Sequence, residues 1–288
     1  MQILPSDVPR ATAAAVSMAS ALGLRVHEAI PVHVSNRLAL RLRPSESLAR
    51  VASSGHEAAP FEIELATRLA QTNSPVAGLD PRVAPRVYER DGFAITFWTY
   101  YELQRGRMLA PAAHAKALSR LHAGMRQIDV ATPHFTDRVR EARELVESPV
   151  RTPELAEVNR RLLLDTFSNV MLAIGGRIRE EQVLHGEPHP GNVLNTKNGP
   201  LFIDLETCCR GPVEFDLAHV PEAVSQRYPN VDQLLLQDCR VLVLAMVAAW
   251  RFDPEDQLPN GRQAAGEVLA ALRAGPPYPA LGAITGLN

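Results

Sequence analysis

The sequence predicts an α+β protein: a small antiparallel β-sheet lobe followed by a larger, mainly helical lobe. Three observations predict it. Short alternating or apolar runs crowd the first hundred residues, and helical periodicity takes over from about Tyr101. Inside the helical part, the turn signal Asn198-Gly199 is flanked by two short apolar runs, the mark of one small hairpin.

Taken in order, Pro5 to Gly23 has a helical pattern closed by glycine. Residues 25–33, 37–42 and 47–52 read as strands. Residues 59–71 form a short amphipathic helix with Phe61, Leu65 and Leu69 on one side. Residues 83–88 and 93–99 complete a five-stranded antiparallel sheet carrying one helix. Two domains are therefore expected, 1–99 and 100–288, with a hinge at Thr99 to Tyr101. Pro111 to Met125 is helical. Thr152-Pro153-Glu154 has the composition of a helix start, N-cap, proline at N1 and an acid in the first turn. The helix it opens would bury Leu155, Val158, Leu162, Leu163, Val170 and Ile174 and stop at Gly175-Gly176. After the hairpin VLNTKNGPLFID, Val231 to Trp250 is a further buried helix, and the tail from Gly275 is expected to pack loosely.

Composition removes several function classes. A formal net charge of −2 over 288 residues gives no electrostatic reason to bind nucleic acid or an anionic membrane. The longest apolar run, Val241 to Trp250, is shorter than the about 20 residues that span a bilayer. The opening MQILPSDVPRAT lacks the basic flank and apolar core of a signal peptide, and three cysteines make neither a disulfide framework nor a zinc cluster. A cytoplasmic protein with reduced core thiols is the expectation. Of the basic residues, two are lysine and 28 arginine, and no lysine precedes Lys116. The chain therefore has no G-x-x-x-x-G-K-[ST] phosphate loop, and phosphate contacts from the first lobe fall to arginine.

The chemistry concentrates in HGEPHPGN, residues 185–192, and in FID, which ends at Asp204. Glu187 and Asn192 sit on a loop after a long helix, and the hairpin is expected to return Asp204 beside Asn192. A carboxylate, an amide oxygen and a second carboxylate make a hard-oxygen site of the kind that Mg²⁺ uses alongside substrate phosphates. The same octet admits another use. His185, Glu187 and His189 alternate and would form a transition-metal triad on a strand. Pro188 and Pro190 interrupt any such strand, and the triad leaves Asn192 and Asp204 without a role.

HGEPHPGNVL, followed by FIDLE and GPVEFDLA, resembles the aminoglycoside phosphotransferase and choline kinase-like family, small-molecule relatives of protein kinases. The order of elements matches over nearly the whole chain, and the match is sharp from His185 to Ala218. The resemblance implies a bilobal protein kinase-like fold and an ATP- and Mg²⁺-dependent phosphotransferase whose partner is a small-molecule hydroxyl acceptor. Glu187 becomes the catalytic carboxylate, in a position where the family has aspartate. Asn192 and Asp204 become the metal ligands, and His185 and Asp216 brace the loop. On the nucleotide side, the resemblance implies a basic residue on the third strand, Arg50, paired with an acid on the next helix, Glu62 or else Glu64. The turn at Ser35-Asn36 would cover the phosphates, and main-chain groups near Thr99 and Tyr100 would meet adenine.

Glutamate differs from the family's aspartate by one methylene, which displaces the carboxylate by up to about 1.5 Å. Its acidity is nearly the same, and phosphoryl transfer depends mostly on positioning and charge neutralisation. A nucleotide-binding pseudokinase without turnover is the alternative. The acceptor class stays open among aminoglycoside-like antibiotics, sugars and amino alcohols. Residues 101–288 hold 20 basic and 23 acidic side chains, a slight lean toward a cationic acceptor. Glu141, Glu144 and Glu147 read as a solvated helix face, and His122 as a core histidine.

Overall fold

A computed structural model describes residues 3–34, 37–55, 58–104, 108–256, 258 and 260–281. The Ser35-Asn36 turn lies outside the described residues. In chain order the elements begin with α1 (Val8–Ala21), β1 (Val26–Val34), β2 (Leu38–Pro44), β3 (Ser47–Ser53), α2 (Ala58–Leu69), β4 (Tyr88–Arg90) and β5 (Phe93–Thr99). There follow α3 (Pro111–Met125), α4 (Phe135–Glu147), α5 (Glu157–Arg177), β6 (Gln182–Leu184), β7 (Val193–Thr196), β8 (Gly199–Phe202) and β9 (Cys209–Gly211). The chain closes with α6 (Val213–Ala218), α7 (Glu222–Ser225), α8 (Gln233–Trp250) and α9 (Gly261–Ala274).

The chain divides into two compact units, residues 1–107 with 194–206, and residues 108–193 with 207–288. The first unit thus runs past the expected boundary at 99 and takes in most of the 193–202 hairpin. Backbone hydrogen bonds explain why: Ala77 N–H donates to the Phe202 carbonyl (2.9 Å), Phe202 N–H to Pro75 (2.8 Å), and Gln104 N–H to Asn195 (2.8 Å).

The first unit is built on an antiparallel sheet of order β1-β2-β3-β5-β4. Strand periodicity sends alternate side chains to opposite faces. Leu38, Leu40 and Leu42 of β2, with Ala49 and Val51 of β3, face inward and are fully buried against the small side chains Ala11, Ala14, Ala15 and Ala19 of α1. The other face of the same strands carries Arg50, paired in register with Ala39 and Thr96. The strand expected over 83–88 is instead a bend, and pairing starts only at Tyr88. Pro85 cannot donate to a ladder and sits in the middle of that stretch.

The core of the second unit is α8, packed on α4, α5, α6 and α9. As a helix, this segment is 18 residues long and apolar enough to cross a membrane by length and composition, but two-thirds of it is buried within the protein. Its start is set by Asp232, whose carboxylate accepts from the N–H groups of Leu234 and Leu235, both at 3.0 Å.

Two details of α5 differ from expectation. Thr152 does not cap it, because its hydroxyl donates to the Ser148 carbonyl (3.0 Å) and receives Arg160 (2.9 Å), closing the end of α4. The helix starts at Glu157 and runs through Gly175-Gly176 to Arg177, with Val158 exposed rather than buried. The acids of α4 face solvent and His122 is fully buried, both as expected. All three cysteines are buried free thiols. In the tail after Gly275, Ala280 and Leu281 are buried rather than loose, and residues 282–288 lie outside the described residues.

Candidate active site

In the first unit, Arg50 and Glu62 form the expected pair, with Nη1 donating to Oε1 at 2.9 Å. Glu62 is almost fully buried on α2. The second fork of Arg50, Nη2, reaches Asp204 Oδ1 at 3.0 Å. Burial opposes the Arg50 charge, but Glu62 and Asp204 outweigh it and hold the guanidinium above its ordinary range. Asp204 lies just past β8, not at its end, in the left-handed region (φ +66°). Aspartate tolerates that conformation, and such backbone outliers gather at functional sites.

Two further residues join this cluster: Arg37, which lies in no motif, and Glu206, the last residue of FIDLE, to which the motif assigned no role. Arg37 donates Nη1 to the other oxygen of Glu62 at 2.5 Å, and Nη2 to Asp204 Oδ1 at 3.3 Å, and it also pairs with Glu206. Parity could have found Arg37. It stands just before β2, two residues from Ala39, the β2 partner of Arg50, so extending the strand's parity by one residue points both arginines the same way. Burial and the neighbouring Asp204 carboxylate push Glu206 up to about 7, despite Arg37. With three acids against two guanidinia, that net direction is physically reasonable. Among the described residues, Glu62, Asp204 and Glu206 form the one group of potential metal ligands whose oxygens converge, within 4.8 Å of one another.

The base-contact expectation is narrowed. Thr99 N–H donates to the Gly78 carbonyl (2.9 Å) and Tyr100 N–H to that of Glu46 (3.2 Å). Any contact with a nucleotide base from these two residues therefore falls to a carbonyl or a side chain. Tyr100 also has the Arg41 guanidinium 4.2 Å over its ring.

In the second unit, β6 pairs with β9 and delivers the chain into the 185–192 loop. Asp216 of α6, wholly buried, accepts the N–H groups of His185 (2.9 Å) and Gly186 (2.8 Å), and its Oδ2 is 2.8 Å from His122 Nε2. Burial alone would raise the Asp216 pKa, but the His122 hydrogen bond leads the interactions that hold it below the usual carboxylate range. Gly186 has φ +88°, and a Cβ there would lie 2.0 Å from the Thr207 carbonyl oxygen, so only glycine fits. His114, buried on α3, contacts the Pro188 carbonyl through Nε2 at 3.1 Å. These ties fix both sides of Glu187.

The carboxylate of Glu187, 24% exposed, is gripped by Arg138 of α4. Arg138 also donates to the Gly186 carbonyl (3.3 Å) and lies 5.1 Å from the centroid of the Trp250 ring. Burial raises the Glu187 pKa, and the Arg138 charge more than reverses it, so the net direction is down and the carboxylate stays ionised. Asn192 uses Nδ2 to hold the Glu187 carbonyl at 3.0 Å, which leaves its side-chain oxygen as the group to face a cation. Glu187 and Asn192 are thus brought together, while Asp204 belongs to the other unit.

The alternative triad of His185, Glu187 and His189 does not assemble. His185 is buried and takes the Glu187 N–H on Nδ1 (3.3 Å), whereas His189 Nδ1 takes that of Gly191 (3.1 Å). The interleaved prolines turn the chain, so the three side chains do not converge as metal ligands.

Residues 27–238 match the family described as the Phosphotransferase enzyme family. No curated protein matches the chain in sequence. Similar solved structures include the amicoumacin kinase hAmiN in complex with AMP-PNP, Ca²⁺ and Ami (TM-score 0.69, 11% identity, 96% of this chain and 98% of that one). Aminoglycoside 2'-phosphotransferase-IIIa in complex with GDP is similar over 92% of this chain and 98% of its own, with TM-score 0.66 and 15% identity. Choline kinase LicA from Streptococcus pneumoniae is similar over 90% and 98%, with TM-score 0.63 and 12% identity. At these identities the likeness is one of fold, and the fold is the α+β protein kinase-like one that the motifs implied.

Proposed function

The chain belongs to the phosphotransferase enzyme family, and from that premise we propose that it is a small-molecule kinase, moving a phosphoryl group from ATP to a hydroxyl of its acceptor with Mg²⁺ as the metal. The observation that carries this reading is the cluster of Arg50, Glu62 and Asp204, a cation held between two acids from distant parts of the sequence. The donor set suits Mg²⁺, since the Asp204 carboxylate and the Asn192 amide oxygen are hard ligands. When bound, the metal supplies positive charge against the phosphate oxygens.

The chain's own residues do the rest. Arg50, steadied by Glu62, grips phosphate oxygens through its fork. Thr99 and Tyr100 border the base. Glu187 orients the acceptor hydroxyl. As that oxygen bonds to phosphorus and the bond to the ADP oxygen breaks, the hydroxyl proton passes to the Glu187 carboxylate. Arg138 makes Glu187 a weaker base than a free glutamate, which suits a loose transition state where orientation matters more than early deprotonation. The acceptor is proposed from the aminoglycoside-like antibiotics, sugars and amino alcohols. Amicoumacin, aminoglycoside and choline kinases of the same fold support that range. A cytoplasmic setting is part of the proposal, supported by three buried thiols.

One observation favours a pseudokinase instead: Arg138 already occupies the Glu187 carboxylate. The test is Mg²⁺-dependent ADP release across a panel of these acceptor classes. Release that requires one acceptor supports the kinase; ATP binding without release in any member supports the pseudokinase.

A further inference from the structure

The arginine on β3 accounts for one half of a symmetric arrangement. Glu62 divides its two oxygens between two guanidinia, Oε1 to Arg50 at 2.9 Å and Oε2 to Arg37 at 2.5 Å. One almost fully buried carboxylate therefore holds two planar cations side by side. The second forks of both then converge on a single anionic oxygen, Asp204 Oδ1, at 3.0 and 3.3 Å. The arginine side chains are only 17% and 12% exposed.

We propose that Arg37 is a second phosphate-binding residue, forming with Arg50 a two-guanidinium clamp on the nucleotide's phosphate chain. Two N–H groups from different residues aimed at one oxygen are the donor geometry that a phosphate oxygen takes. Asp204 Oδ1 takes that position here. A cation held by Asp204 would draw its oxygens away from both Nη2 groups, and a phosphate oxygen would supply the anion in their place. The plain alternative is that Arg37 only neutralises Glu206. In that case it would act on the unit's stability and not on phosphate. The sequence adds a reason for two arginines: no lysine lies in residues 1–115, so a lysine point charge is replaced by paired forks. The proposal rests on the nucleotide-binding reading above.

The experiment uses the full chain in Mg²⁺ buffer. ATP binding is followed by calorimetry, and adenosine binding by saturation-transfer NMR, which reads millimolar affinities. Arg37→Met is expected to weaken ATP by roughly tenfold or more, the loss of about one charge-assisted pair, and to leave adenosine unchanged. Arg37→Lys, which keeps charge but loses the fork, falls between. ATP affinity within about threefold of the parent, or equal losses for ATP and adenosine, overturns the clamp. If Arg37→Met does not fold by circular dichroism, Arg37→Lys and Arg37→Gln are judged by the same criteria. A parent protein that binds no ATP overturns the nucleotide-binding reading itself, and Arg37 with it; unchanged ATP binding in the variants overturns Arg37 alone.

Discussion

Around Glu62, charges are held by other charges: Arg37 and Arg50 share Glu62 and Asp204, and Glu206 completes five ionisable groups in one part of the first unit. Around Glu187 the scaffold is different. Asp216 takes two backbone N–H groups and a histidine, His114 meets a carbonyl, and Gly186 fills a space that admits no Cβ. The first arrangement can exchange partners as anions and cations come and go, because its bonds are ionic and Asp204 and Glu206 keep partial exposure. The second cannot, because its groups are buried and committed to the backbone. The former suits the phosphate site proposed for Arg37 and Arg50, and the latter suits the catalytic role proposed for Glu187.

The largest break should come from the buried brace. Asp216→Ala leaves His122 and two N–H groups without their acceptor and is expected to destabilise the protein by about 3 kcal/mol or more. Urea unfolding measures it, and hydrogen exchange at 185–187 should accelerate. A change under about 1 kcal/mol would mean that the loop is not braced this way.

Next comes acid. Burial holds His114 and His219 down at about 4. Their folded pKa is depressed below the usual 6.5, so their contribution is fully present above pH 6.5 and is lost as pH falls toward 4, by up to about 3 kcal/mol each. Thermal melts from pH 7 to 4.5 should show the loss, and His114→Gln should flatten the curve. An unchanged slope in that variant removes His114 from the account.

Arg138→Gln tests the ion pair that holds the Glu187 carboxylate itself. It should lower kcat by roughly tenfold, through misplacement of Glu187, while KM for ATP stays unchanged. A selective rise in KM for ATP would contradict a positioning role. The smallest effect belongs to Glu206→Gln. The Glu206 pKa is raised, so its ionisation costs stability as pH rises from about 4.5 through 7. The variant should melt a few degrees higher at pH 8 and no differently at pH 4.5. Lower stability at pH 8 would show that the Arg37 pair dominates instead.

Much of this was legible in the sequence where a local pattern carries the information. Alternation marks β2 and β3, a continuous apolar run marks β5, and the parity of β3 places Arg50 on the face opposite the core. The motif residues Glu187, Asn192 and Asp204 announce themselves by spacing. Arg37 and Arg138 did not, and Glu206 closes FIDLE without a legible role, because their partners lie far along the chain and only folding brings them together. Arg138 sits on a helix whose acids drew attention to its solvent face, although the arginine turns toward Trp250. Thr152 misled for a related reason: it has the composition of a cap, but tertiary contacts with Arg160 take its hydroxyl.

The central claim is that Glu187 acts on an acceptor hydroxyl. The most direct measurement compares Mg²⁺- and acceptor-dependent ADP release by the parent and by Glu187→Gln, which keeps size and removes charge. The account predicts release by the parent that falls by about 100-fold or more in the variant, with ATP binding intact. Equal release from both proteins would contradict it.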